Sequence, residues 1–142
     1  MLAHHSLKVA LAPDLPMIKG DTALLEQVLF NLLDNAAKYA PRDSEIRIQA
    51  RRSDGLVLID VEDEGDGIPP EQLQQIFDKF HRVRDGDSRP PGTGLGLAIC
   101  RGFVEGMGGR IWATNRSDRP GARFTIELPA APEAGELPAS QP

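Results

Sequence analysis

Two pairs of strand-like runs, each closed by a short glycine-bearing turn, set the architecture of this chain. Glu45 to Arg52 and Leu56 to Glu62 flank Ser53-Asp-Gly55, and Arg110 to Asn115 and Ala122 to Leu128 flank Asp118-Arg-Pro-Gly121. An Asp-Gly pair between β-rich runs is a strong hairpin signal, and hairpins build antiparallel sheet. The alternating run Leu7 to Leu11 predicts a first strand. Asp21 is placed to cap a long helix that runs to about Ala40 and stops at Pro41. Pro70 opens a short helix through about Phe80, and a third helix runs from about Leu95 to Met107, ended by Gly108-Gly109. This order predicts an α/β (α+β) two-layer sandwich, with a mixed, mostly antiparallel sheet and about three helices on one face. Residues 1–129 read as one domain. Residues 130–142, rich in Pro, Ala and Glu, read as a disordered tail.

Composition narrows the partners. The formal net charge of -5 sets up a field that repels nucleic acid. No apolar run approaches the ~20 residues of a membrane span, and the start lacks the basic-then-apolar pattern of a signal peptide. A single cysteine, Cys100, excludes an internal disulfide and fits a reducing compartment. The expectation is a cytoplasmic domain with a small-molecule or protein partner.

Four short blocks carry the chemistry. In the long helix, Leu25, Leu29, Leu32, Leu33 and Ala36 share one side, while Asn31, Asn35 and Lys38 fall on a stripe roughly 140° away. Amide oxygens one turn apart suit a hard cation that keeps waters and phosphates as its other ligands. The same stripe alone is equally a solvated helix face. Asp63-Glu-Gly65-Asp-Gly67-Ile68 follows an apolar strand; a carboxylate there can accept from an exocyclic amine, and glycines let the backbone approach a flat base. A plain Asp/Gly turn has the same composition, but the spacing does not fit a calcium loop. Gly92-Thr93-Gly94-Leu95-Gly96-Leu97 precedes a helix and so aims backbone N–H groups at an anion. No buried strand precedes it, which argues against a dinucleotide fold, and no Gly-Lys-Ser/Thr ending makes a P-loop. Phe77 and Phe80 read as core packing, with Lys79, Arg82, Arg84 and Arg89 around them as a local basic group able to neutralise phosphates.

In this order the blocks resemble the asparagine box, first glycine box, phenylalanine box and second glycine box of bacterial sensor histidine kinases. The resemblance spans about Leu7 to Leu128. Its wording, Ile76-Phe-Asp-Lys-Phe80 and then Gly94-Leu-Gly-Leu-Ala-Ile-Cys-Arg101, is most similar to the potassium-responsive sensor kinases. It implies a Bergerat ATP-binding fold, with ATP and Mg²⁺ as cofactors. By this resemblance Asn35 is the metal ligand, Asn31 supports metal and phosphate, Lys38 contacts phosphate, and Tyr39 lies against adenine or ribose. Asp63 accepts from the adenine amine, with Gly65, Gly67 and Ile68 passing close to the base. Gly92, Thr93, Gly94, Leu95, Gly96 and Leu97 form the lid around the phosphates, and Lys79, Phe80 and Arg82 complete the nucleotide-binding set.

The resemblance places the phosphoacceptor histidine on a separate dimerisation domain, and His4, His5 and His81 lack the sequence context of such an acceptor. It therefore implies a monomeric catalytic fragment. Such a fragment phosphorylates in trans, passes its signal to a response regulator through that domain, touches no membrane itself, and belongs to a parent anchored in the bacterial inner membrane. Gyrase-like members place a Glu where Asn31 stands, so phosphotransfer is implied over vigorous hydrolysis. Two alternatives stay open: an anti-sigma-factor-type serine kinase on the same fold, and a nucleotide-dependent interaction module.

Overall fold

Asp21 lies in extended backbone, and its Oδ1 accepts from Ala23 N–H (2.8 Å) and Leu24 N–H (3.3 Å). It thus satisfies two of the four amides that a helix start leaves open. The helix it caps ends at Tyr39, because Pro41 pushes Ala40 into extended backbone. The structure, a computed structural model, describes residues 4–18, 20–78 and 96–131. In chain order these form β1 (Ser6–Leu11), α1 (Thr22–Tyr39), β2 (Glu45–Ser53) and β3 (Leu56–Glu62). Two 3₁₀ turns follow (Pro70–Gln72 and Gln75–Phe77), then α2 (Gly96–Gly106), β4 (Arg110–Asn115) and β5 (Ala122–Pro129).

The five strands make one sheet in the order β1-β2-β3-β5-β4. The β1–β2 pair is parallel and every other pair antiparallel. Parallel neighbours cannot be joined by a tight turn, so α1 serves as their crossover. Both expected hairpins form. Ser53 pairs with Leu56 around Asp54-Gly55, where Asp54 takes a positive φ of 54°.

Alternate residues of the strands, among them Ile46, Ile59, Val61, Phe124, Ile126 and Leu128, are buried against Val28, Leu32 and Ala36 of α1 and Cys100 and Val104 of α2. Both helices therefore lie on one face. The opposite face is polar, yet Asp60 and Glu62 are almost fully buried in it. Each survives burial because it is paired. Asp60 accepts from Thr125 Oγ1 (2.7 Å) and pairs with Arg51, and Glu62 pairs with Arg123 (2.7 Å).

Two details differ from the sequence-based expectation. The described residues hold two α-helices, not three, because the segment from Pro70 folds as the two 3₁₀ turns. Each turn is closed by an i→i+3 hydrogen bond, Gln72 N–H to Pro69 O (2.8 Å) and Asp78 N–H to Gln75 O (2.9 Å), and so is too tight to continue as an α-helix. The Phe77 ring meets Phe124 edge to face (6.1 Å, 81°), and Asp78 returns to extended backbone. In α1, the deepest residues are Val28, Leu32 and Ala36, while Leu25, Leu29 and Leu33 pack beside them half-buried. The buried arc is shifted because α2 packs on the Val28 side.

Beyond β5, Ala130 N–H donates to Gly55 O (2.9 Å) and Ala131 N–H to Met17 O (2.6 Å). Residues 132–142 of the expected tail lie outside the described residues. Among the described residues no helix is long and apolar enough to cross a membrane.

Candidate nucleotide site

The end of α1 and the loop after β3 meet through a missing side chain. A Cβ on Gly65 would sit 2.8 Å from the Tyr39 carbonyl oxygen and 3.2 Å from Asp63 Oδ1. Only glycine lets these two expected blocks come together there. Asp63 is 5% exposed, and its Oδ1 accepts from Gly65 N–H (2.9 Å) and Ala122 N–H (3.2 Å). Its backbone is held as well: Asp63 N–H donates to Ala122 O (3.1 Å), and Arg116 Nη1–H donates to Asp63 O (3.0 Å). Gly121, at φ +147°, passes so close to that carbonyl that a Cβ would meet Asp63 O at 2.1 Å. The carboxylate is therefore fixed in direction by groups on three segments of chain.

The rest of the first glycine block is clamped from β4. Gly67 takes φ +82°, and Asn115 Oδ1 lies 2.7 Å from where its Cβ would stand. Ile68 N–H donates to Asn115 Oδ1 (2.7 Å), and Asn115 Nδ2–H donates to Ile68 O (2.8 Å). Glu64 accepts from Glu45 N–H (2.8 Å) and pairs with Arg119. The Glu45 amide, with Arg119 beside it, holds the Glu64 carboxyl below its usual range. Arg116 likewise holds Asp118 down at about 2, so both carboxylates stay ionised through neutral pH.

On α1 the expected stripe is not simply solvated. Asn31 Oδ1 accepts from Gln27 Nε2–H (3.1 Å), and the Asn31 amide reaches the Cys100 sulfur of α2. Asn35 is half-buried, and its side chain has no hydrogen-bond partner among the described residues. Lys38 pairs with Asp34 one turn back (3.1 Å), an exposed contact of little worth that a stronger anion could displace. Tyr39 is half-buried beside Gly65. Of the second glycine block, Gly96 and Leu97 open α2, with Leu97 against the core. Lys79, Phe80, Arg82, Gly92, Thr93, Gly94 and Leu95 lie outside the described residues, as does His81. His4 contacts Arg42 and His5 faces the Ala40 carbonyl, both beside the end of α1.

Sequence reasoning missed Asn115 as the clamp on Ile68, missed Arg116, Gly121 and Ala122 as supports of Asp63, and missed Cys100 as a neighbour of Asn31. A polar Asn-Arg pair at a strand end, shortly before a glycine, was the available signal; alone it reads as turn chemistry.

Cys100 is fully buried, and desolvation pushes its thiol up to about 11 despite the Asn31 contact. A thiol in that state is inert at neutral pH. The folded chain at pH 8 is expected to resist a disulfide-exchange reagent, and one thiol should titrate in 6 M guanidinium, a denaturing condition chosen about twofold stronger per mole than urea. Rapid labelling of the folded chain would show that the α1–α2 interface opens.

The donor set fits a nucleotide with its metal. Among the described residues no cluster of three or more His, Cys, Asp or Glu could cage a metal ion. Mg²⁺ ordinarily needs only one or two protein oxygens beside phosphates and waters, and the Asn35 amide, which has no hydrogen-bond partner among the described residues, offers one. The fixed Asp63 carboxylate suits a base bearing an amine.

Known proteins share this fold. Sensor protein KdpD of Escherichia coli strain K12 is 47% identical over 133 residues, covering 92% of this chain and 15% of its own length. The chain thus spans about one seventh of that relative. The mycobacterial sensor histidine kinase MprB superposes with a TM-score of 0.82 at 30% identity, covering 93% of this chain and 88% of the other. Full-length ShkA, solved in complex with AMPPNP, gives a TM-score of 0.75 at 31% identity, covering 89% of this chain and 26% of the other. Residues 20–132 match the family described as histidine kinase-, DNA gyrase B- and HSP90-like ATPases. With most of its length inside that match, and with the sheet, the asparagine helix and the glycine loop assembled as above, the chain belongs to the histidine kinase-, DNA gyrase B- and HSP90-like ATPase family.

Proposed function

We propose that residues 1–129 form the catalytic ATP-binding domain of a sensor histidine kinase. The domain binds Mg·ATP and hands the γ-phosphoryl to a histidine on a separate dimerisation domain, from which a response regulator receives it. The observation that carries this reading is the Asp63 carboxylate, buried and aimed by Gly65 N–H and Ala122 N–H, where glycine lets the loop pack directly against the end of α1. In such a site a carboxylate accepts from an adenine amine and disfavours guanine, which presents a carbonyl oxygen at that position. The solved AMPPNP complex of ShkA supports nucleotide binding on this fold.

The roles follow the family resemblance. Asn35 would hold the metal through its amide oxygen, and Asn31 would support metal and phosphate. Lys38 leaves Asp34 for phosphate, and Tyr39 flanks the base or ribose. Gly65, Gly67 and Ile68 pass close to the base. By the resemblance, Gly92, Thr93, Gly94, Leu95, Gly96 and Leu97 would serve the phosphates, and Lys79, Phe80 and Arg82 would complete the nucleotide-binding set. Bound Mg²⁺ supplies charge neutralisation on the phosphates. The chain's own work is then to bind, orient and exclude water, since an imidazole acceptor needs little activation as a nucleophile. The wording of the phenylalanine and second glycine blocks favours the potassium-responsive type. The domain works in the cytoplasm as a monomer, free of nucleic acid and of direct membrane contact, within a parent anchored in the inner membrane.

The test supplies the parent's histidine-bearing dimerisation domain in trans with γ-labelled Mg·ATP. Label on that domain that is lost in acid and kept in base is expected, because a phosphoramidate is acid-labile. Acid-stable label would point to the serine kinase, and tight ATP binding without transfer to the interaction module.

A further inference from the structure

Among the described residues, no backbone–backbone hydrogen bond holds Gly67 or Ile68. The Asn115 side chain replaces that pairing. It accepts from Ile68 N–H at 2.7 Å and donates to Ile68 O at 2.8 Å, from a position 47 residues away. A primary amide presents one donor and one acceptor side by side, so it can pair a peptide unit as a neighbouring strand would. Gly67 is matched to it, since at φ +82° any side chain there would press on Asn115 Oδ1. The next residue, Arg116, carries a buried guanidinium that holds the other end of the loop at Asp63 O.

We infer that Asn115 is a positioning residue for base recognition: by pairing with Ile68 it fixes the Gly67–Ile68 backbone beside Asp63 and so sets affinity for the adenine end of the ligand and not for its phosphates. This rests on the nucleotide reading above. Asn115 itself is exposed at the end of β4; it acts through the loop. Supports of this kind are what keep a recognition group in its productive geometry.

Calorimetry on the full chain separates the possibilities, using Mg·ATP and Mg·tripolyphosphate as probes and a thermal melt of each variant. Asn115→Ala removes both bonds. Asn115→Asp keeps the shape and the acceptor while losing the donor to Ile68 O, and stands in if the alanine variant does not fold. Both are expected to weaken Mg·ATP by roughly tenfold or more, with tripolyphosphate changed by less than about twofold. The Gly67→Ala/Asn115→Ala double variant should lose no more than the worse single one, because both act on one contact. The inference is overturned if folded variants bind Mg·ATP as wild type does, if both probes weaken equally, or if the double variant's losses add. In those cases wild-type ATP binding still stands. Absence of Mg·ATP binding in the wild type overturns the nucleotide reading and this inference together.

Discussion

Asn35→Ala is expected to abolish Mg²⁺-dependent ATP binding while the fold survives. The side chain has no hydrogen-bond partner among the described residues, so truncation leaves no buried group stranded. Alanine is also the better helix former by up to about 0.7 kcal/mol, so the melting temperature should hold or rise slightly. Removing an amide oxygen from a metal that takes only one or two protein ligands removes much of its attachment. The measurement is ATP affinity with Mg²⁺ and with a chelator. Wild type should show a large Mg²⁺ effect and the variant almost none. Unchanged Mg²⁺-dependent affinity would remove the metal role from Asn35.

The second large effect is expected at Asp63, and the structure selects the informative substitution. Asp63→Ala would leave Gly65 N–H and Ala122 N–H without their acceptor, at about 1–3 kcal/mol for a buried unsatisfied group. Instability would then be mixed with lost recognition. Asp63→Asn keeps the acceptor, since those two donors orient the amide oxygen toward themselves. Its NH₂ is left where the second carboxylate oxygen was, and there it meets the adenine amine donor to donor. ATP affinity should fall on the order of 100-fold. Tripolyphosphate binding and the melting temperature should change little. Equal loss for both ligands would show that Asp63 does not read the base.

What could be read along the chain was what is encoded locally. Asp21 followed by an apolar period gave the long helix, and Asp54-Gly55 between two β-rich runs gave the first hairpin to within a residue. The amide stripe was visible because helical spacing is regular. The segment from Pro70 was read as one helix on local propensity, but it closes into two 3₁₀ turns by i→i+3 bonds while Phe77 packs on Phe124, 47 residues away, a contact no local pattern encodes. The supports of the site were not legible for a different reason. Asn115 reaches Ile68 across 47 residues, Arg116 reaches Asp63 across 53, and Ala122 reaches it across 59. Such pairings are created by strand order, with β5 between β3 and β4, and no local pattern announces them. The contact of Asn31 with Cys100 likewise depends on how α2 lies on α1.

The most direct test of the account is a calorimetric titration of the purified chain with Mg·ATP, with a chelator control. Saturable binding to one site, dependent on Mg²⁺, is the predicted result. A chain that melts cooperatively and yet takes up no Mg·ATP would contradict it.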